Sequence, residues 1–549
     1  MKRLKQVAAN LLIASLTIAP LSANVHYADA AGKPSLSVRK LTLSSGKTKT
    51  LTLKNAKKMS TSWKTNKKKV VAITKKTRTT CKVKALAQGK ATITCKVKNG
   101  KKVTSLTCNI TVPAKKPTPV KTADVTTTPV PTQAPSDAPL ETPSVTTTPT
   151  QHPLANESIL ENYKDYFGYV GTCLTYGTDT SPNQLQKADI MEHVKKHYNS
   201  FTLENEMKPD AILGSSANTI SVSEAKKLGY IIPENYKEES VPQLNLDRLD
   251  KVLKVAYDNG LRMRAHTLVW HSQTPAWFFS KNYNTNIETD PDTMDARLEF
   301  YIRTVMSHVM DKELEITGKS GSIIYAWDVV NEYLHRYLFN WALNWTSVYG
   351  DMGDSPSYVK KAFEIAYDVL KTYQATDDVV LFYNDYNTYF DPEGTINLVN
   401  FINENEPANI CGGIGMQSHI DIKVPTVEEY GDALEQFLNT GLEVQITELD
   451  ITINFNTDGD NPSYNYKKEG ETNEDQAAFV SEFMNMVISK QLNRDKSVSP
   501  KGITSLTLWG LYDKISWRKR CAPLLFGKNI NDPKPSFYTF IEAAKKNKQ

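Results

Sequence analysis

Glu332 and Glu448 are the residues around which chemistry can be built. Each ends a short apolar run; Glu332 follows Asn331, and Glu448 stands two residues before Asp450. A Glu that ends a strand is, taken alone, more often an ion-pair partner than a catalyst. Two carboxyls facing each other across a cavity are what cleavage of a glycosidic bond requires, one to protonate the leaving oxygen and one to attack or to activate water. Other polar and aromatic residues fall at comparable positions. Glu204, Asn205 and Lys208 follow one run, and His266, Trp270, His271 and Gln273 end or follow the next. Asp328 precedes Asn331, and Asn384, Asp385 and Tyr386 follow a fifth run. Gln417 and His419 end a sixth, and Trp509 an eighth, with Trp517 in the loop beyond it. No motif for a nucleophilic Ser or Cys accompanies them. His266 and His271 raise a metal site as one reading, but no third ligand pattern goes with them. Neutral imidazoles donating to a carboxylate or a sugar hydroxyl fit better, so neither metal nor cofactor is expected. Trp270, Trp509 and Trp517 read as faces for a sugar ring, with core packing as the alternative. Trp341 and Trp345, four residues apart, read as packing.

These residues need a scaffold that brings distant chain segments to one mouth. Eight apolar runs can be counted, near 168–174, 200–203, 262–269, 324–330, 379–383, 412–416, 443–447 and 505–509. Helical stripes separate them. Leu246, Leu249, Val252, Leu253, Ala256 and Tyr257 form one, with Gly260 as its stop. Leu298, Ile302, Val305 and Val309 form a second, and Val359, Phe363, Ala366 and Leu370 a third. Strand and helix alternating eight times predict an α/β fold, a (β/α)8 TIM barrel. An open doubly wound sheet is the alternative, but no G-x-G-x-x-G follows the first strand. In a barrel the chemistry sits at the strand C-termini, and the ends of strands four and seven face each other there.

Five segments carry a resemblance: Phe-Thr-Leu-Glu-Asn-Glu-Met-Lys (201–208), His-Thr-Leu-Val-Trp-His-Ser-Gln (266–273), Trp-Asp-Val-Val-Asn-Glu (327–332), Gly-Met-Gln-Ser-His (415–419) and Ile-Thr-Glu-Leu-Asp (446–450). In this order they are similar to glycoside hydrolase family 10, the retaining endo-1,4-β-xylanases, over about 156–545. The resemblance implies that Glu332 is the acid/base and Glu448 the nucleophile. It implies that Asn331 holds the sugar 2-hydroxyl and that His419 with Asp450 orients Glu448. Glu204, Asn205, Lys208, His266, Trp270, Gln273, Gln417, Trp509 and Trp517 would then line the glycone subsites, and xylan would be the substrate. Gln273 and Trp517 are expected to crowd the space a hydroxymethyl group needs, favouring xylose over glucose. The charge of Glu448 is expected to raise the pKa of Glu332. The segments 214–241 and 454–473 look longer than usual for such a barrel. Two other readings stay open: another barrel β-1,4-glycanase, and a non-catalytic surface protein that binds carbohydrate.

The formal charge of +6 hides a division of the chain. Residues 33–116 hold 22 Lys and 2 Arg with no Asp or Glu, whereas 156–549 hold 38 basic and 56 acidic residues. The basic segment has short alternating runs separated by turn residues, which predicts a small all-β sandwich. Its Trp63-Lys64-Thr65-Asn66, Val70-Val71-Ala72-Ile73 and Gly89-Lys90-Ala91-Thr92-Ile93 are similar to bacterial Ig-like domains of group 2. Trp63 is placed just before a strand and read as core. The Lys load is either a solvated surface or an attachment face for an anionic cell-wall polymer; nucleic acid is not expected. Residues 117–155 are rich in Pro and Thr, with no aromatic, and predict a semi-rigid tether. Residues 1–30 carry Lys2, Arg3 and Lys5, an apolar stretch and Ala28-Asp29-Ala30, the layout of a signal peptide. The chain is therefore expected to be secreted, with no membrane span after signal removal. Six Cys, three on each side of the tether, leave the pairing open.

Overall fold

The computed structural model describes residues 34–36, 40–43, 47–54, 59–99, 102–112, 152–178, 180–338, 343–453 and 470–548. The expected signal segment, residues 117–151 of the tether, Trp341 and residues 454–469 of the long segment 454–473 lie outside these residues, whereas 152–155, expected to end the tether, are described with the second unit. The described part divides into two units, one within 34–112 and one within 152–548, each with a core of its own.

Among the described residues the first unit has eight strands in two sheets. They are β1 (Ser35–Leu36), β2 (Lys40–Thr42), β3 (Thr48–Lys54), β4 (Ser60–Thr65), β5 (Val71–Lys76), β6 (Thr80–Ala85), β7 (Gly89–Asn99) and β8 (Lys102–Val112). One sheet runs β1-β3-β6-β5 and the other β2-β8-β7-β4. Alternation explains the packing: Ala91, Ile93, Cys95 and Val97 of β7 are buried, while Lys90, Lys96 and Lys98 between and beside them face water. Leu51 and Val83 from one sheet share a core with Ile93 and Ile110 from the other. The sequence reading misplaced Trp63. It lies inside β4, a strand whose Ser and Thr neighbours look like a turn, and its Nε1 donates to the Thr77 carbonyl at 3.2 Å. Its side chain is buried, as expected of a core residue.

In the second unit eight parallel strands close on themselves among the described residues. They are β9 (Tyr169–Leu174), β10 (Ser200–Leu203), β13 (Arg262–Trp270), β14 (Ile324–Asn331), β15 (Val380–Asp385), β16 (Gly413–Met416), β18 (Glu443–Thr452) and β19 (Ile503–Leu508). The order β16-β15-β14-β13-β10-β9-β19-β18 is completed by pairing of β16 with β18. Between β10 and β13 the short pair β11 (Thr219–Ser221) and β12 (Ser240–Pro242) occupies the long second connection. A short β17 (His419–Asp421) pairs with the upper part of β18.

Helices cover the barrel where the stripes predicted them. Pro291–Thr317 starts at Asp290, whose carboxylate accepts from Thr293 N, and Pro291 sits where its missing N–H costs nothing. It buries Leu298, Ile302, Val305 and Val309. Ser357–Thr372 buries Val359, Phe363, Ala366 and Leu370. Asp247–Asp258 buries Leu249, Val252, Leu253 and Ala256, and Gly260 (φ +66°) stops the turn that follows. Tyr257 departs from its expected stripe and is 51% exposed. At 100° per residue it lies roughly 80° from Leu249, at the edge of the apolar arc. All six Cys are buried free thiols, so no bridge staples either unit.

Candidate active site

The barrel mouth is built by strands that lose their regular register as they reach it. Pairing of β13 with β14 shifts between His266 and Val269, β14 with β15 between Asp328 and Val330, and β18 with β19 between Ile446 and Leu449. Such irregularities re-aim side chains at functional rims. Glu332 follows the last residue of β14 with φ +60°, a left-handed conformation that costs a non-Gly residue energy. The backbone is held there by Glu332 N–H donating to the Asn384 carbonyl at 2.9 Å and by His335 N–H donating to the Glu332 carbonyl at 3.0 Å.

Glu332 and Glu448 are both buried in the wall of one cleft of about 580 Å³. Trp270 Nε1 donates to Glu332 Oε2 at 2.8 Å and Gln417 Nε2 to Oε1 at 3.0 Å. Asn384 Nδ2 donates to Glu448 Oε1 at 2.8 Å, and His419 Nε2 lies 3.1 Å from Oε2. The Asn331 amide lies 3.0 Å from the Asn384 amide and 3.1 Å from that of Gln417, so a run of amides joins the two carboxyls.

Opposite environments set opposite proton states. Burial is the largest influence on Glu332, the Asp385 charge adds to it, and the pKa rises to about 7 against the hydrogen bonds from Gln417 and Trp270. The charge of Glu448 acts in the expected direction but is the smallest of these influences. The expected direction holds, but depth and Asp385 do most of the work. For Glu448, burial again pulls upward, but the His419 hydrogen bond and the charges of His266, His419 and Lys208 outweigh it and bring the pKa to about 2. His419 itself rises to about 9. Burial opposes this, but the charge and contact of Asp450, 3.1 Å from Nδ1, and then Glu448 keep it an imidazolium.

The nine residues expected to line the glycone side all reach this region. Glu204, Asn205, Lys208, His266, Trp270, Gln273, Gln417, Trp509 and Trp517 all line the cleft. Lys208 Nζ lies 4.9 Å above the Trp270 ring and 3.4 Å from Asn205 Oδ1. Gln273 donates to Asp210 at 3.1 Å. Burial raises the Glu204 carboxyl against the pull of Lys208. His266 Nδ1 sits 2.8 Å from Asp328, whose carboxylate also pairs with Arg264 beneath the mouth. Trp509 meets the edges of His266 and His419. Asp450 does not line the cleft. It stands behind His419, where Trp517 Nε1 donates to it at 2.9 Å and Arg518 Nη1 at 2.5 Å. His271 Nε2 is 3.8 Å from Glu332, and burial drives its pKa down to about 3, so it is uncharged. Trp345 is packing, stacked on Tyr358 with centroids 5.1 Å apart. Among the described residues no group of three His, Cys, Asp or Glu is placed to hold a metal ion.

Four residues were given no role from the sequence. Asn384 and Asp385 were noted only as ending a strand. His335, 2.7 Å from Asp385, and Arg518 were not singled out at all. A signal existed for Asn384 and Asp385, since both end strand five of a barrel. None existed for Arg518, because nothing local shows that it folds back onto Asp450.

Two buried carboxyls of unequal proton affinity, Glu332 just past β14 and Glu448 in the upper part of β18 at the mouth of a parallel barrel, define a carbohydrate-cleaving barrel enzyme of the two-carboxylate class. Residues 158–543 match the model of Glycosyl hydrolase family 10. The chain belongs to that family. It is 42% identical over 391 residues to endo-1,4-beta-xylanase A of Butyrivibrio fibrisolvens, covering 71% of this chain and 85% of that one. It is 35% identical to endo-1,4-beta-xylanase B of the same organism, over 64% of this chain and 48% of the relative. Among solved structures, an intracellular xylanase of Thermoanaerobacterium saccharolyticum in complex with xylotetraose matches at 26% identity and TM-score 0.52, over 70% of this chain and 98% of that one. A bacterial Ig-like domain containing xylanase from termite gut shares the fold over 93% of this chain and 99% of its own, at 21% identity and TM-score 0.51.

Proposed function

We propose that the chain is a secreted endo-1,4-β-xylanase that hydrolyses internal β-1,4-xylosidic bonds with retention. The observation that carries this reading is the asymmetry of the two carboxyls, Glu332 near 7 and Glu448 near 2. In the first step a Glu448 oxygen attacks the anomeric carbon. The bond to the leaving oxygen breaks, and that oxygen takes the Glu332 proton. In the second, Glu332 as carboxylate removes a proton from water, the hydroxyl adds to the same carbon, and Glu448 leaves. Asn331 binds the 2-hydroxyl, and the His419–Asp450 pair holds Glu448 ionised and aimed. Glu204, Asn205, Lys208, His266, Trp270, Gln273, Gln417, Trp509 and Trp517 line the glycone side, with Gln273 and Trp517 excluding a hydroxymethyl group. The relatives named above support xylan as the polymer.

The decisive experiment is release of reducing sugar from xylans and glucans, with the anomer of the first product read by proton NMR. Xylan is cut with β product first and cellulose far more slowly; α product first, or equal rates on both polymers, refutes the scheme. Glu448→Ala should abolish turnover.

Outside the barrel, residues 1–30 act as the export signal and 117–155 as the tether. The basic unit is an Ig-like domain that attaches the enzyme to an anionic polymer of the cell wall. Its rows of solvent-facing Lys on β7 and β6, such as Lys96 with Lys98 and Lys82 with Lys84, support that role.

A further inference from the structure

Two cations in the wall of the catalytic cleft have no part in the chemistry above. Lys519 and Arg520 follow Trp517 and Arg518 after β19, form the short turn Lys519–Cys521, and line the same cleft as Glu332 and Glu448. Both side chains are exposed. Among the described residues neither has a carboxylate within ion-pair distance, whereas the neighbouring cations are committed. Arg518 is paired with Asp450, and Lys208 is held between Asn205 and the Trp270 ring. The backbone beneath the two cations is fixed. Cys521 N–H donates to the Arg518 carbonyl at 2.8 Å, Ile453 N–H to the Cys521 carbonyl at 2.9 Å, and Ile451 N–H to the Pro523 carbonyl at 3.0 Å.

These charges stand against their surroundings. The C-terminal part of the chain has 56 acidic to 38 basic residues, a surface that repels an anionic chain except where cations are concentrated. A neutral sugar polymer gains little from an ammonium beside a guanidinium. A carboxylate gains charge-assisted hydrogen bonds, bidentate ones from Arg. Ile515, in the same wall and 40% exposed, offers an apolar contact to the ring that carries the acid.

We propose that Lys519 and Arg520 bind a carboxylate carried by the substrate, so that the enzyme prefers xylan bearing uronic acid side groups to the same backbone without charge. This rests on the xylanase reading above.

The test compares kcat/KM on uronic-acid-bearing xylan with that on the same polymer after its carboxyls are reduced to alcohols. Wild type should favour the acidic polymer about fivefold, through KM, the scale of an exposed charge pair. The preference should fade as salt rises to about 0.5 M. The variant Lys519→Gln/Arg520→Gln should lose the preference while turning over the reduced polymer at the wild-type rate, which also shows that it is folded. Equal rates on the two polymers in wild type, or a preference that survives in the variant, overturns the assignment. Failure of wild type to cut either polymer would instead overturn the xylanase reading.

Discussion

Both Glu332 and Glu448 are buried, so loss of hydration pushes each toward its neutral form. What separates them is company: Asp385 stands near the first, and the His419 imidazolium touches the second. The alkaline limb of kcat/KM should therefore fall near pH 7 as Glu332 loses its proton. Asp385→Asn removes a negative charge, lowers the pKa of Glu332 and should move that limb to lower pH. A pH–rate profile with an unmoved limb would show that Asp385 does not act on Glu332. The same contacts couple to stability. Glu448 is depressed from 4.5 to about 2, so its contribution is present above pH 4.5 and lost as pH falls through 2. His419 is raised from 6.5 to about 9, so its contribution is full below pH 6.5 and lost as pH rises through 9. The stability deficit of His419→Gln should thus be largest between pH 4.5 and 6.5 and shrink above pH 9, as read by denaturant melts.

At the scale of elements, β15 and β16 show how closely two strands must approach to hold Glu448 in place. A Cβ at Gly415 would lie 2.4 Å from Asn384 Oδ1, the residue whose amide supports Glu448. Gly415→Ala should cost about 1–3 kcal/mol in stability through overpacking, and should lower kcat more than KM because Asn384 is displaced. Thermal melts and steady-state rates together check this. The elements themselves were legible. All eight barrel strands were counted from apolar runs, because strands buried on both faces leave continuous hydrophobic stretches. Three of the helices were legible from their stripes, Tyr257 excepted. β4 was not, since a strand reading Ser-Thr-Ser before Trp63 shows no alternation of apolar residues. In the site, residues at strand ends were found because the barrel dictates where to look. Partners that arrive from loops, Arg518 and His335, were missed because contacts across the chain leave no local pattern.

For the whole molecule, the charge division visible in composition coincides with two separate hydrophobic cores. A chain beginning at 152 should keep the kcat/KM of the full protein on soluble xylan, since the cleft is lined entirely from the second unit. The same truncation should abolish salt-sensitive retention on an anionic polymer column. Retention that persists without the basic unit would count against the attachment role. Among the described residues no helix is long and apolar enough to cross a bilayer.

Asp450 is shared property. It steadies His419 behind Glu448, and it also receives Trp517 and Arg518 from the loop that walls the cleft. A change in that loop therefore reaches Glu448 as well. Trp517 and Glu448 are thus joined through Asp450 and His419, so a substitution of Trp517 should disturb the setting of Glu448 along with the shape of the cleft wall.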